Sequence, residues 1–282
     1  MTTPLYRTFE ALPDPVFRAL SWGCGRQSTV LAVMSALGEL EPLDLIIMAD
    51  TMWERRRTYE VQQFYIKWLR DRGQRVEVVS VGSIRKLGAE EHIHIPFWTD
   101  TGGPLHRQCT RHFKIDPIKR RIRQIMGYPT SVPPHPPMNS VELWLGITWD
   151  ETERMKDSLL QFMVHRWPLL EHRLTRLDCT RYLEALYLPV PIKSSCVICP
   201  YRLPSEWIHM RDNDPPEWHD SINFDRKNRN NPLADRGAST ADSLYIYKYN
   251  ATPLEDAPLE ADAKRERKGK QLPLMCGGYC HS

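Results

Sequence analysis

Residues 43–50 read LDLIIMAD, with five apolar residues in succession before the closing acid. A short apolar run without alternation is what a strand covered on both faces requires. Such strands belong to parallel sheets flanked by helices. The neighbouring segments have matching periods. VFRALSWG, residues 16–23, is a short apolar run ending in glycine, and RVEVVSVG, residues 75–82, reads as a third strand. Between the runs lie two helical patterns. One begins near Ser28 and continues through TVLAVMSALGEL. The other, RRTYEVQQFYIKWLRDRG, sets Val61, Phe64, Tyr65, Trp68 and Leu69 on one side, with Gly73 as its stop. The order β-loop-α-β-α-β within 82 residues predicts an α/β fold with a doubly wound, mostly parallel sheet.

Beyond this core the pattern loosens. Residues 84–108 have no clear period and read as a long loop, followed by a basic helix in KIDPIKRRIRQIMG and a proline-rich stretch, YPTSVPPHPPMNS. VELWLGITWDE, residues 141–151, is a further strand running into a glycine and then acids, and LDCTRYLEALYLP is a short helix. After Pro200 apolar density falls, so Trp207, Trp218 and Phe224 read as anchors for segments wrapped over the core. These features predict an α/β domain over 15–215 and a C-terminal extension over 216–282 that ends in a cysteine-containing tail. No apolar run is long enough to span a bilayer. The opening MTTPLYRTFEALPDP lacks a basic-then-apolar signal pattern, so the expected location is cytoplasmic, without a membrane partner.

Most of the chemistry sits at the turn after the first strand. A strand, a glycine-containing loop and a helix start together make an anion site, because the first N–H groups of a helix are unpaired and its dipole favours negative charge. Gly23 and Gly25 let backbone approach a ligand, Ser21, Ser28 and Thr29 add hydroxyls, and Arg26 adds charge. The alternative is an ordinary turn with a Ser/Thr cap. Asp50 ends the second strand at the carboxyl edge of the sheet, where it either meets a ribose hydroxyl or metal or caps the next helix. In GITWDETER, Gly146 ends another strand and leaves room for a ligand. Arg154 either clamps a phosphate or sulfate or belongs to a solvated helix start.

The formal charge of +3 is too small by itself to argue for nucleic acid. The basic segment around residues 107–125 suits a multiply charged nucleotide, a nucleic-acid acceptor or a solvated helix face. Trp149, Trp167 and Trp207 either stack on bases or pack. The seven cysteines of a chain without an export pattern read as thiols. Cys196 and Cys199 form C-x-x-C before Pro200, and Cys109 lies among Arg107, Arg111, His112 and Lys114, whose charge favours thiolate. With Cys276 and Cys280 these offer four or five thiolates, a set that suits zinc or a [4Fe–4S] cluster. Cys24 and Cys179 read as buried fillers.

Six segments, in order over residues 18–282, resemble the phosphoadenosine-phosphosulfate (PAPS) reductase-like family of the adenine-nucleotide alpha-hydrolase (PP-loop) superfamily, in its short phage and bacterial form. GCGRQSTVL is similar to the pyrophosphate loop SGGKDST, and MADTMWERRRTYE to ADTG…E…TYE. QCTRHFKIDPIKR is similar to C(T/C)xxxKxxPI, and GITWDETERM to GIRxDEsxxR. SSCVICPYR resembles the family's Cys-x-x-Cys-Pro, and MCGGYCHS its cysteine-containing tail. The resemblance implies a HUP-like fold. It also implies an adenine nucleotide, ATP or an adenylyl sulfate, held by Ser21, Gly23, Gly25, Arg26, Gln27, Ser28, Thr29, Asp50 and Gly146, with Arg154 on its anion.

The same resemblance implies a [4Fe–4S] cluster on Cys109, Cys196, Cys199 and Cys276, with zinc as the alternative metal. Cys280 or Cys276 would be the nucleophile of a closing tail, beside Arg154 as a catalytic group. Two reactions follow from it. One is reduction of adenylyl sulfate with a thiol reductant protein. The other is ATP-dependent thiolation of a nucleic-acid acceptor, as in DNA phosphorothioation or tRNA thiolation. A zinc-containing nucleotide-binding module without catalysis is a third expectation. Three departures stand out. Arg26-Gln27 replaces the Lys-Asp of the loop, whose aspartate is associated with magnesium in ATP-cleaving members. Met52 replaces the glycine of DTG, and Thr110 replaces the second cysteine of a Cys-Cys pair.

Overall fold

The computed structural model describes residues 12, 15–91, 94–231, 243–249 and 251–267. Along the chain lie β1 (Phe17–Ser21), α1 (Arg26–Ala36), β2 (Leu45–Ala49), α2 (Arg56–Arg70), β3 (Val76–Val79), β4 (Trp98–Thr99) and α3 (Asp116–Ile125). They are followed by β5 (Val141–Trp144), β6 (Met163–Arg166), α4 (Pro168–Glu171), α5 (Arg176–Ala185), α6 (Pro204–Asn213), α7 (Pro215–Asn228), β7 (Leu244–Tyr245) and α8 (Leu259–Arg267). Two short π-helical segments, Lys86–Glu91 and Arg111–Ile115, flank β4. The first falls in the stretch expected to be a loop. No described helix is long and apolar enough to cross a membrane.

The chain forms two compact units with discontinuous boundaries. The first comprises the described residues up to Val81 together with Phe113–Ser194. The second comprises Gly82–His112 and the described part of Ser195–Gly277. In the first unit five strands form one parallel sheet in the order β3-β2-β1-β5-β6. The doubly wound parallel fold expected from the sequence is therefore present. The run LIIMA explains itself here. Ile46 and Met48 join one apolar cluster with α1, α2 and α5, while Leu45, Ile47 and Ala49 join a second with α3. In α2 the buried face is Thr58, Gln62, Tyr65, Ile66 and Leu69. Phe64, expected on that face, is exposed, because Gln62 and Ile66 shift the buried stripe by a fraction of a turn.

β6 is a strand that the sequence reading missed. Its backbone pairs with β5 from Met163↔Val141 to Arg166↔Trp144. Two polar residues, His165 and Arg166, are buried in it. Arg166 is accommodated by Glu142, Glu41 and Glu171 at 3.3, 3.1 and 2.8 Å. Glu142, fully buried in β5, also accepts from Arg18 Nε at 2.8 Å, Trp144 Nε1 at 2.7 Å and the Leu12 N–H at 2.7 Å. Burial alone would raise the Glu142 pKa. The bonds from Trp144, Arg18 and Leu12 and the charge of Arg166 outweigh it and hold the carboxyl below its ordinary 4.5.

The second unit pairs β4 with β7 antiparallel. Trp207, expected as an anchor, is fully buried and meets Trp218 edge-on at 6.3 Å, while Phe224 stacks on Phe97 at 5.8 Å. Asp225 ties the unit together, accepting from the N–H groups of Ile246 and Leu254 at 2.8 and 3.1 Å and from Arg229 at 2.6 Å.

The Glu142 network yields a stability prediction. Glu142→Ala takes the buried carboxylate from Arg18 and leaves Arg166 only Glu41 and Glu171, and should cost about 3 kcal/mol, read from the denaturant midpoint. A carboxyl with a depressed folded pKa contributes fully above its unfolded value and loses that contribution as pH falls through the folded one. Wild-type stability should therefore drop steadily below pH 4.5, and Glu142→Gln should flatten that slope.

Candidate functional site

The turn between β1 and α1 is built differently from its glycine content. The left-handed residue is Cys24, at φ 52°, not Gly23 or Gly25. Its side chain is buried, and Sγ lies 3.8 Å from the carbonyl of Thr58. Burial and the charge of Glu54 push its thiol up to about 12, against a smaller effect of Lys114. Cys24 is thus the inert filler expected of it, and Cys179, raised to about 12 by burial, is another. The Ser28 hydroxyl accepts from the Gly23 N–H at 3.2 Å and donates to the Gly25 carbonyl at 3.3 Å. The Thr29 hydroxyl accepts from Trp22 Nε1 at 3.0 Å. Both side chains are buried and shape the loop rather than facing outward.

α1 starts at Arg26 with Gly25 as its cap, and its first internal bond runs from the Thr29 N–H to the Gly25 carbonyl at 3.0 Å. The N–H groups of Arg26, Gln27 and Ser28 precede that bond, so the helix gives them no internal acceptor. A Cβ on Gly25 would meet nothing within 4 Å. Gly146 is the opposite case. A Cβ there would lie 2.6 Å from the Ser28 nitrogen and 2.9 Å from its Cα. The sequence assigned the missing side chain of Gly146 to an approaching ligand, but its immediate neighbour is the backbone of α1. In open α/β sheets the crevice forms where strand order reverses, which here is between β1 and β5.

Glu151, buried beside this turn, gathers several partners. Its Oε2 accepts from Gln27 Nε2 at 2.8 Å and Thr148 Oγ1 at 3.1 Å, while Oε1 takes Arg154 and Arg176. Burial would raise its pKa, but the two guanidinium groups outweigh that and depress it. Arg154 is therefore held by Glu151 as well as being a candidate anion ligand. Asp50 accepts at Oδ1 from the Met52 N–H at 2.7 Å and the Tyr59 hydroxyl at 2.9 Å, which holds Met52 at φ 56°. Glu54, left open by the sequence, is buried and pairs with Lys114 at 2.9 Å.

A pocket opens beside the turn, within the first unit. Its walls come from the ends of β1 (Ser21, Trp22, Gly23), β2 (Met48, Ala49) and β5 (Leu143, Leu145), from His165 on β6, and from Lys114, Ile115, Ile118 and Lys119. Of the residues expected to hold a ligand, Ser21 and Gly23 line it. Leu143, Leu145, Lys119 and His165 were not anticipated. The signal available was a histidine inside a short apolar run, FMVHRW. Among the tryptophans singled out, Trp167 and Trp207 are fully buried, and Trp149 is exposed, with Arg173 5.7 Å from its ring.

Three of the candidate thiols belong to the second unit. Cys196 and Cys199 share one turn, closed by the Cys199 N–H to the Cys196 carbonyl at 3.1 Å. The Cys109 N–H donates to the His94 carbonyl at 2.9 Å, beside the stacked rings of His94 and His112 at 4.4 Å. Burial raises the Cys199 pKa, Arg202 and Arg107 oppose that, and the charge of Cys109 adds to it. The charge of Cys109 thus acts on Cys199, 90 positions further along the chain. Among the described residues, no three of His, Cys, Asp or Glu converge as a metal site. Cys109, Cys196 and Cys199 are thus not drawn together as the cluster or zinc site expected of them. Cys276 and Cys280 lie outside the described residues.

No protein-family model and no curated protein matches the chain. Among solved structures it is similar to phosphoadenylyl-sulfate (PAPS) reductase from Candida auris in a phosphate complex. That match has 12% identity and a TM-score of 0.40, covering 64% of this chain and 76% of that one. It is also similar to the U34-tRNA thiolase NcsA from Methanococcus maripaludis with its [4Fe-4S] cluster. Here identity is 13% and the TM-score 0.43, covering 78% of this chain and 75% of that one.

The close approach at Gly146 can be checked directly. Gly146→Ala should destabilise the first unit by about 1–3 kcal/mol in denaturant unfolding, because backbone must move to admit the methyl group. Gly25→Ala, which faces open space, should cost no more than about 1 kcal/mol.

Proposed function

We propose that the chain is an adenine-nucleotide-dependent enzyme of sulfur chemistry, with the pocket of the first unit as its nucleotide site. One observation carries this reading. The start of α1 presents N–H groups that have no acceptor inside the helix, and Ser21, Trp22 and Gly23, just before it in the chain, line a largely apolar pocket at the strand-order reversal. Such a helix start favours an anion, and the pocket beside it suits the uncharged part of the same ligand. Arg26 at the first helical position, whose buried Nε has no hydrogen-bond partner, and Lys119 in the pocket wall add positive charge. The sequence segments that resemble PAPS reductase-like proteins supply the chemical class: sulfur transfer or reduction on an adenine nucleotide.

In this reading the residues divide the work. The α1 backbone and Arg26 bind phosphate or sulfate, the ends of β1, β2 and β5 hold the base, and Glu151 fixes Gln27 at the loop. Reduction of an adenylyl sulfate releases sulfite and needs two electrons from a thiol donor. Thiolation of a nucleic acid instead consumes ATP. Cys109, Cys196 and Cys199 are the candidate thiols among the described residues of the second unit. A [4Fe–4S] cluster or zinc on Cys109, Cys196 and Cys199 would require them to draw closer than they stand, and a fourth ligand besides.

Calorimetric titration with ATP and with adenosine 3′,5′-bisphosphate should show binding of at least one, and Arg26→Ala should weaken it about tenfold. Absence of binding by both would remove the nucleotide reading. Sulfite release from PAPS with thioredoxin would select the reductase, and pyrophosphate release from ATP with a nucleic acid the thiolase. Anaerobic purification followed by iron and zinc analysis decides the metal. A folded protein free of both metals discards the cluster.

A further inference from the structure

β6 forms the edge of the five-stranded sheet, and its register sets His165 opposite Leu143 of β5. Directly paired residues of neighbouring strands share a face, and both of these line the pocket. His165 is only 4% exposed. Its Nδ1 lies 2.8 Å from the carbonyl oxygen of Lys156. A carbonyl accepts and cannot donate, so Nδ1 carries a proton. Nε2 is buried and has no hydrogen-bond partner. Burial holds the His165 pKa down at about 4. The bond to Lys156 opposes that, and the Lys119 ammonium reinforces it. The ring is then neutral near pH 7, and Nε2 is a bare lone pair on the pocket side of the sheet.

Buried polar atoms without partners are rare in folded proteins. The surroundings restrict what can satisfy this one. A cationic amine would be repelled by the Lys119 ammonium, which lies in the pocket wall and acts on His165. A carbonyl or other acceptor would face a lone pair with a lone pair. Met48, Ala49, Leu143, Leu145 and Ile118 leave apolar walls around it. The group that fits is an uncharged N–H donor carried on an apolar or aromatic body.

We propose that His165 is the specificity-determining residue of the pocket, its Nε2 accepting a hydrogen bond from the exocyclic amine of a 6-aminopurine. The pocket then selects adenine nucleotides over purine nucleotides that lack the amine or carry an oxo group in its place. This inference rests on the nucleotide reading above, and adds to it the group that reads the base.

The test compares ATP or adenosine 3′,5′-bisphosphate, whichever binds more tightly, with its purine-riboside counterpart lacking the 6-amino group. The wild-type chain should bind the amino compound about tenfold more tightly. In His165→Leu the two affinities should converge to within about twofold, because only the amino compound loses a bond. His165→Gln, which restores an acceptor, should recover part of the preference. Equal binding of the two compounds by wild type overturns the role of His165 and leaves the nucleotide reading standing. Binding of neither overturns both. A His165→Leu chain that binds both compounds more weakly but keeps the tenfold ratio assigns His165 to packing and overturns the proposal. The wild-type comparison requires no variant, so it remains decisive if His165→Leu does not fold.

Discussion

At the end of β5 the backbone of α1 comes so close to Gly146 that a methyl group would lie 2.6 Å from the Ser28 nitrogen. That approach fixes where the helix begins. It sets the first turn of α1 against the gap between β1 and β5, where strand order reverses and a parallel sheet opens its crevice. The loop before the helix is then short of space. Cys24 takes the left-handed conformation and turns its side chain inward toward Thr58. Ser28 closes the loop on itself, and Thr29 fastens it to Trp22. Each of these contacts follows from the helix start being held where it is.

Charge is arranged around this scaffold in pairs. Glu142 neutralises Arg18 and Arg166 inside the sheet, Glu54 meets Lys114, and Glu151 meets Arg154 and Arg176. Buried ions of either sign are tolerated only with such partners. The pocket wall differs in kind. Its strand residues are mostly apolar, and its buried histidine is kept neutral rather than paired with an acid. The same burial that would make a charged imidazole costly leaves Nε2 as a directed acceptor.

The elements legible in the sequence were those whose burial is uniform. LIIMA had to be a central strand because both its faces pack on helices, and TVLAVM had to be a helix against it. MVHR was missed because half of its residues are polar. They are buried only because Glu142, Glu41 and Glu171 and the carbonyl of Lys156 lie around them. No local pattern contains that information. The role of Gly146 was read as room for a ligand, since sequence reports that a side chain is absent and not what fills the space. How near Cys109 comes to Cys199 could not be read from their spacing, because a separation of 90 positions carries no geometry.

Gln27 and Glu151 together account for the loop's departure from the Lys-Asp pattern it resembles. The Gln27 amide donates to Glu151 Oε2 at 2.8 Å, and that carboxylate is buried. An aspartate at position 27 would bring a second negative charge against it, and like charges at such a distance cannot both stay ionised without cost. A glutamine supplies the donor that the carboxylate needs. The acidic group of this turn thus stands at position 151, with its charge directed onto Arg154 and Arg176. Substituting the loop motif without changing Glu151 would set two acids against each other, so the two positions have to be read as one unit.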